Sequence, residues 1–465
     1  MASDGVSTVA LKCGLVIQGC IMTTFEGRQF IAFKGIPYAE PPTGNLRFKP
    51  PVRKVWNAHN FEATSEIESI QFDMMTNTLI GQEDCLILNV FTKKTQNKCP
   101  VIVFIHGGAY CSGSGIMYGP RKLLDQDVVL VTINYRLHVF GFLSTSDKVS
   151  PGNYGLLDQI VALQWVQDNI DVFGGDPNCV TVIGHSAAAG VKLMYNIIGL
   201  FHRAVLMSGN SLCSWALSKN PKYWTIKVAR AAGCESSDSA EIVDYLRELP
   251  AVKLTKIHSK LCKEVLVPMS PVVDGHVLLD NPQTLLEKGL IVNRVPVLIG
   301  VTKNEGLTFL PSNIYVLDKK NAGLSFFEFI RLATAMPLDI ELKRISSETR
   351  ELIENYYFKL IDPKDVESVE KAAVKVCSDG AFKVAHHHVV NLLVNAGVEI
   401  YVYSSDYVTE YSIAALRGVN MRGVGHADDL FFLFDCPKVY PLHYESPNNS
   451  TENNFLQIWT NFARS

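Results

Sequence analysis

Short apolar runs alternate with amphipathic segments through the middle of the chain. The apolar runs have the length of strands and lie at 101–105, 128–135, 180–183, 204–207, 295–301 and 398–403. Apolar residues at helical spacing over 156–166 predict an amphipathic helix between two of these runs. Continuous apolar strands that alternate with helices are typical of a mostly parallel sheet with helices on both faces. The pattern therefore predicts an α/β fold.

The pattern is different before these strands and in two long segments between them. Residues 8–50 hold short β-rich runs broken by glycine and proline, which predicts antiparallel N-terminal strands. Residues 215–290 and 312–396 are mainly helical in pattern, with charged faces, and such insertions can wall a pocket above the carboxyl edge of a sheet. Because no repeat or low-complexity linker interrupts the chain, residues 1–465 are predicted to form a single domain.

Composition narrows the classes of partner. The chain has 465 residues, of which 47% are hydrophobic and 19% charged, and 43 basic against 46 acidic side chains give a formal net charge of −3. This composition excludes a disordered chain. Nucleic acids and acidic membranes bind concentrated Lys and Arg, so the absence of a basic block argues against both and favours a small or neutral ligand. No apolar run reaches the ~20 residues that span a bilayer, so no transmembrane segment is predicted.

Cysteine usage bears on the compartment. Eleven cysteines are scattered without a C-x-x-C pair, which argues against a zinc ribbon and against a dithiol redox site. No metal site and no cofactor are predicted. Residues 1–5 carry an acid and no basic cluster, so no signal peptide is evident. These features favour a reducing, cytoplasmic compartment, and the sequons at Asn448 and Asn449 would matter only in a secreted chain.

A candidate nucleophile follows the strand predicted at 180–183. Ser186 stands where this strand turns into an apolar helical pattern, which is the setting of a nucleophile elbow. The usual signature of the elbow is G-x-S-x-G, and here Ala188 replaces the last glycine. A serine in this place is also a common helix N-cap, so the motif taken alone leaves both interpretations open.

A glycine turn after the strand at 101–105 favours the catalytic interpretation. Gly107 gives the turn freedom, and the backbone N–H groups of Gly108, Ala109 and Ala187 are predicted to form an oxyanion hole. Glycine turns after strands are common without catalysis. The combination of this turn with the elbow points to acyl transfer.

A serine nucleophile needs a histidine that accepts its proton and an acid that orients the histidine. Glu305 lies just beyond the strand at 295–301, and His426 lies in a glycine-flanked loop over 422–429. Both follow Ser186 in the order of α/β-hydrolases. An acid after a strand is usually solvated and a loop histidine is usually inert, so each is weak evidence alone, and only their order and setting make them candidates.

With these residues, the chain resembles the type-B carboxylesterase and cholinesterase family of α/β-hydrolases. Segments similar to the successive signatures of that family lie at 33–42, 83–86, 106–108, 152–159, 173–177, 200–204, 304–306 and 426–428. The resemblance implies the α/β-hydrolase fold and a small-molecule ester substrate. It implies Ser186 as the nucleophile that forms an acyl-enzyme, Glu305 as the orienting acid and His426 as general base and then acid. It further suggests Ser208 as a partner of the acid and Trp215 as a wall of the acyl pocket.

Within the family the chain is most similar to insect intracellular α-esterases, which suggests detoxification or another role in xenobiotic or lipid ester metabolism. Secreted relatives usually pair the counterpart of Cys85 with an upstream cysteine, whereas Ser69 lies near that partner position here. Cholinesterases place a tryptophan shortly before the segment that corresponds to 83–86, where its ring holds the quaternary ammonium of choline. Residues 60–82 contain no tryptophan here, so the resemblance disfavours choline esters as substrates.

Some features depart from the family pattern. They are Ala188, His138 where relatives usually have glycine, a helix after Ser186 that is about one turn shorter than usual, and an earlier end of the chain. They leave open a second hypothesis, a non-catalytic relative that binds or sequesters ligands or mediates adhesion.

Overall fold

A computed structural model gives the fold of most of the chain. It describes residues 6–93, 98–190, 198–262, 264–265, 267–310, 347–362, 365–409, 411–437, 439 and 450–465. Three sequence predictions fall wholly or partly outside the described residues: the sequons at Asn448 and Asn449, the first part of the second helical insertion (312–346), and the shortened helix after Ser186 (191–197).

The strands are the framework of the fold. Those in the described residues are β1 (Val6–Ala10), β2 (Val16–Thr23), β3 (Gln29–Pro37), β4 (Asn60–Glu62), β5 (Gln71–Phe72), β6 (Leu79–Ile80), β7 (Ile87–Thr92), β8 (Cys99–Ile105), β9 (Val129–Ile133), β10 (Gly175–His185), β11 (Arg203–Met207), β12 (Val297–Thr302) and β13 (Ile400–Ser405).

Most of these strands form one sheet. Their order is β1-β2-β3-β7-β9-β8-β10-β11-β12-β13, with β4 added alongside β2, while β5 and β6 form a separate ribbon. The pairs from β1 to β9 along this order are antiparallel, and all pairs from β9 to β13 are parallel. The mostly parallel sheet of an α/β-hydrolase and the antiparallel N-terminal strands are therefore confirmed.

Helices cover this sheet. In the described residues they are α1 (His138–Phe142), α2 (Tyr154–Asn169), α3 (Pro221–Ala232), α4 (Ser239–Glu248), α5 (Ala251–Leu261), α6 (Pro282–Glu287), α7 (Ser347–Ile353), α8 (Val366–Ser378), α9 (Val384–Asn395), α10 (Ile413–Leu416) and α11 (Ser450–Arg464). A π-helical turn, Asp379–Lys383, joins α8 to α9. The described parts of both insertions are mainly helical, as predicted, and no helix among these residues is long and apolar enough to cross a bilayer.

Burial on both faces explains the continuous apolar runs. In β8, Val101, Val103 and Ile105 point into one core, which also contains Leu163 of α2. The alternate residues of β8 point into a second core on the opposite face, where Trp459 of α11 packs. Because neither face of the central strands meets water, both sets of alternate positions must be apolar.

The ends of two strands differ from the prediction for local reasons. The last strand begins at Ile400 instead of residue 398, since the N–H of Val398 donates to the carbonyl of Leu393 and closes the end of α9 (3.0 Å). The strand expected at 295–301 begins at Val297, directly after Pro296, which has no N–H to give to a sheet.

Candidate active site

The carboxyl ends of parallel strands meet at one edge of the sheet, and the candidate residues follow these ends. Ser186 comes directly after β10, and Glu305 begins a 3-10 turn, Glu305–Phe309, just beyond β12. His426 lies in the loop before another 3-10 turn, Asp428–Phe432. The topology therefore brings together residues that are remote in the sequence.

Ser186 occupies a sharp turn that two glycines make possible. Its φ is 54°, a left-handed conformation that is unusual for serine. A Cβ on Gly209 would lie 2.4 Å from the carbonyl oxygen of Ser186, and one on Gly107 would lie 2.9 Å from the Cβ of Ser186. The N-cap of the turn that follows is His185, so Ser186 is not an ordinary N-cap.

The three predicted side chains form a continuous relay of hydrogen bonds. The Oγ of Ser186 lies 2.8 Å from Nε2 of His426, whose Nδ1 lies 2.6 Å from Oε2 of Glu305. The other carboxylate oxygen of Glu305 accepts the N–H of Thr302 at 2.8 Å. Glu305 is fully buried, and Ser186 and His426 are also buried. In this arrangement the imidazole can take a proton from the serine while the carboxylate holds the ring.

Aromatic rings surround the imidazole of His426. The ring centroids of Phe382, His185 and Phe309 lie 4.6, 4.7 and 5.3 Å from that of His426. Neither phenylalanine is among the site residues predicted from the sequence. Phe309 lies on the same turn as Glu305, which could have indicated it, whereas Phe382 comes from a distant π-helical turn. These rings restrict the tilt of the imidazole and keep water from it.

The turn after β8 presents free backbone donors near the serine. Gly108 and Ala109 have φ values of 106° and 53°. Their N–H groups donate to no group in the part of the chain that the structure describes. The predicted role of Gly107 needs correction, because its φ is not positive and it is required for close approach to Ser186. Ala187, the third predicted donor, is buried directly after Ser186.

A largely apolar pocket of about 560 Å³, including the space at its mouth, opens onto Ser186. Its lining residues are Met74, Gly108, Ala109, Ser186, Trp215, Val267, Phe309, Cys377, Ala381, Phe382 and His426. Trp215 is fixed there because its indole N–H donates to the carbonyl of Ala381 (3.0 Å). The structure therefore brings the predicted Trp215 to the same cavity as the serine, the histidine and the glycine turn. None of these lining residues is Asp, Glu, Lys or Arg.

Two buried acids support the loop that carries His426. The carboxylate of Asp428 accepts the N–H groups of Gly425 (2.7 Å) and Ile413 (2.8 Å). Burial, with the charge of Glu305 second, raises the pKa of Asp429 to about 8, and the hydroxyl of Tyr403 donates to this carboxyl at 3.2 Å. Asp429 is therefore protonated at neutral pH, which avoids a second buried negative charge beside Glu305.

Ser208, which the resemblance suggests as a partner of the acid, makes no side-chain hydrogen bond to Glu305 in this structure. Ser208 is buried after β11 with a φ of 52°, and its N–H donates to the carbonyl of Gly300. Its hydroxyl has no hydrogen-bond partner in the described part of the chain. The sequence shows that Ser208 follows a strand, but not which way its side chain turns.

His138, one of the departures from the family pattern, is accommodated locally. His138 is buried with a φ of 43°, a conformation that suits glycine, and its Nε2 lies 2.8 Å from the carbonyl oxygen of Ile70. The hydroxyl of Ser69 donates to the carbonyl of Tyr135 at 2.9 Å, and Cys85 is a buried free thiol. No group of three or more His, Cys, Asp or Glu among the described residues is arranged to hold a metal ion.

Several known proteins that are similar to this chain are esterases. The Carboxylesterase family matches residues 6–465. Juvenile hormone esterase from Tribolium castaneum is 34% identical over 98% of this chain and 83% of that protein. Esterase E4 from Myzus persicae is 34% identical over 97% of this chain and 84% of that protein. A solved structure of juvenile hormone esterase from Manduca sexta, with OTFP covalently attached, has a TM-score of 0.86 and 28% identity, covering 99% of this chain and 90% of that one.

Proposed function

Because the chain belongs to the carboxylesterase family of carboxylic ester hydrolases, we propose that it cleaves esters through an acyl-enzyme on Ser186. The observation that supports this most is the relay from Ser186 through His426 to Glu305, with distances of 2.8 and 2.6 Å, in which Ser186 and His426 line one pocket.

The proposed reaction follows from the position of each group. The Oγ of Ser186 attacks the ester carbonyl while His426 takes the serine proton. The N–H groups of Gly108, Ala109 and Ala187 hold the resulting oxyanion. His426 then gives the proton to the leaving alcohol. Water then attacks the acyl-enzyme, with His426 again taking and returning a proton, and the carboxylic acid is released. Glu305 holds the imidazole and stabilises its positive charge.

The proposed substrate is a neutral ester with an apolar acyl group. The pocket offers Trp215, Phe309, Phe382 and Val267 as apolar walls, and its lining has no Asp, Glu, Lys or Arg side chain that would bind an ionic group. Burial of each CH₂ group in such a site contributes about 0.8 kcal/mol. We assign Trp215 to the wall of the acyl pocket, since its ring is held in place by the bond to Ala381.

We further propose that the protein works in a reducing, cytoplasmic compartment as one catalytic domain, on lipophilic xenobiotic or lipid esters. All eleven cysteines lie within the described residues and all are free thiols. One long sheet that contains strands from Val6–Ala10 to Ile400–Ser405 supports the single domain. Measuring the subcellular distribution of the native protein, together with its free-thiol count, tests the compartment.

Labelling with a fluorophosphonate tests the catalytic proposal. Such a probe bonds only to an activated nucleophile, so we expect an adduct on Ser186 and none in Ser186→Ala. Ser114→Ala is the matched control, because Ser114 is buried outside the pocket and its hydroxyl has no hydrogen-bond partner in the described residues. This variant should be labelled normally and should hydrolyse p-nitrophenyl butyrate. Failure to label the folded wild-type protein would refute the proposal in favour of a non-catalytic ligand-binding protein.

A further inference from the structure

The second helical insertion contains a π-helical turn. Helix α8 passes through this turn, Asp379–Lys383, directly into helix α9. A π-helical turn is rare, because it holds an extra residue that shifts the side chains around it, and such turns occur frequently at functional sites. Here the turn carries Ala381 and Phe382, which both line the pocket. The turn therefore lies where its side chains can affect the proposed reaction.

Phe382 is the residue of this turn that contacts the proposed base. Its ring centroid lies 4.6 Å from that of His426, and the two ring planes are inclined at 35°. The same ring lies 5.8 Å from the rings of Trp215 and Phe309, and its plane is within 21° of that of Phe309. Phe382 is only 3% exposed, so it has little room to move away. One side chain thus packs against the base and against two walls of the pocket.

Hydrogen bonds fix the π-helical turn to its surroundings. The indole N–H of Trp215 donates to the carbonyl of Ala381, inside the turn, at 3.0 Å. The N–H of Gly306 donates to the hydroxyl of Ser378, directly before the turn, at 2.9 Å. Because Gly306 follows Glu305 in the sequence, the second bond ties the turn to the segment that carries the orienting acid. The turn is therefore held relative to both the acid and the pocket wall.

The hydrogen bond to Glu305 alone leaves the imidazole of His426 free to tilt. This bond holds Nδ1 at 2.6 Å from the carboxylate, but a ring held at one atom can still swing about it and carry Nε2 away from Ser186. Nε2 now lies 2.8 Å from Oγ of Ser186. A flat side chain packed against the imidazole opposes such a tilt. Among the three aromatic rings around the imidazole, that of Phe382 is the nearest.

We infer that Phe382 is a positioning residue for His426 and that the π-helical turn holds its ring in place, so that Nε2 stays aligned with Ser186 during the reaction. This inference rests on the proposed function and deepens it. Phe382 has no polar side-chain atom, so it acts only through the base.

The size of the effect follows from what misalignment costs. Alignment of the base affects the chemical steps more than the binding of the ester, so loss of the ring should lower kcat and change KM little. A misplacement of about 1 Å can lower a rate about 10²-fold, so we expect kcat to fall about ten- to hundredfold.

The main test measures p-nitrophenyl butyrate hydrolysis by full-length Phe382→Ala. We express kcat per active site, counted by complete labelling with the fluorophosphonate, because this separates a slower enzyme from a partly unfolded one. We expect kcat to fall about ten- to hundredfold while KM stays within about threefold. Phe382→Leu keeps most of the apolar volume without the flat ring. This second variant should fold more readily than Phe382→Ala and should also lose kcat.

Phe358→Ala is the matched control. Phe358 is buried against Ala372 and Val376 of α8, like Phe382 on the same insertion, but in a cluster apart from the pocket. Its truncation should lower the unfolding midpoint and leave kcat per active site unchanged. A structural effect on the insertion would thus appear in both alanine variants, whereas an effect on the base appears only in Phe382→Ala.

Proton NMR gives a readout that needs no ester. A proton shared between Nδ1 of His426 and Glu305, 2.6 Å apart, should resonate far downfield in the wild-type protein. If the ring of Phe382 holds the imidazole, this signal should broaden and exchange faster with water in Phe382→Ala and stay unchanged in Phe358→Ala.

The possible results separate the inference from its alternatives. A rise in KM with unchanged kcat would show that Phe382 only binds the acyl group, and an equal loss of kcat in both alanine variants would show general destabilisation. Either result overturns the inference, as does an unchanged downfield signal in Phe382→Ala. If the wild-type protein hydrolyses no ester, the proposed function fails, and the signal still decides whether Phe382 holds His426.

Discussion

The substitution Glu305→Gln probes the relay at its most buried point. The side chain keeps its size, so the fully buried site is filled and no unpaired charge is created. One carboxylate oxygen of Glu305 accepts the N–H of Thr302 at 2.8 Å, and only the amide oxygen of glutamine can replace it there. The amide NH₂ must then face Nδ1 of His426, where the carboxylate oxygen now lies at 2.6 Å.

This reversal of polarity changes the tautomer of the histidine. An NH₂ group donates, so Nδ1 must accept and the ring proton moves to Nε2. Nε2 lies 2.8 Å from Oγ of Ser186 and, once protonated, cannot take the serine proton. A wrong tautomer of this kind lowers kcat about 10⁴-fold. That factor corresponds to about 5.4 kcal/mol of transition-state stabilisation.

The assay is steady-state hydrolysis of p-nitrophenyl butyrate, with thermal unfolding as the check on folding. We expect kcat to fall about 10⁴-fold with little change in KM or in the unfolding midpoint. Asp429→Asn is the matched control, because burial raises the pKa of Asp429 to about 8 and this acid is already neutral at pH 7. It should retain its kcat within a few fold. A kcat for Glu305→Gln within tenfold of the wild type would show that Glu305 does not orient the base.

Three further changes test other parts of the structure. Gly107→Ala would place a Cβ 2.9 Å from that of Ser186, so it should displace the elbow or the oxyanion turn and lower kcat about 10²-fold, measured with the same ester in protein of normal circular dichroism. Trp215→Leu removes part of a pocket wall, so the ratio of kcat/KM for p-nitrophenyl octanoate to that for the acetate should rise, and an unchanged ratio would remove Trp215 from the acyl pocket. Burial holds the pKa of His258 well below its usual value, so the unfolded chain binds a proton that the folded chain does not. Stability should therefore fall as the pH drops below ~6.5, by at most ~1.4 kcal/mol per pH unit for this group, and His258→Phe should flatten that slope in unfolding midpoints from pH 7 to 5.

The sequence predicts the sheet well because burial on two faces leaves a clear pattern. The runs at 101–105 and 204–207 lie in β8 and β11, and the helical spacing over 156–166 lies in α2. Parallel strands have their carboxyl ends at the same edge of the sheet. Together with the family pattern, this makes it predictable that Ser186, Glu305 and His426 meet. Their roles remain a proposal that the experiments above test.

Contacts between helical insertions could not be predicted in the same way. Phe382 approaches the ring of His426 because of how the π-helical turn Asp379–Lys383 packs. Apolar periodicity shows which face of a helix is buried but not which residues it meets, and no spacing rule joins positions so far apart. The orientation of Ser208 is missed for a related reason, since a single rotatable side chain leaves no trace in a hydrophobic pattern.

The replacement of the elbow glycine by Ala188 bears on where backbone strain lies. Ala188 does not have a positive φ, so its position in the 3-10 turn Ser186–Ala189 does not need the freedom of glycine. The left-handed residue is Ser186 itself, at a cost of roughly 1–2 kcal/mol, and the close approaches to it are made by Gly107 and Gly209. The incomplete motif is therefore weak evidence against an active elbow. The requirement for glycine lies in segments that precede and follow the motif. A signature of five consecutive residues does not include these segments.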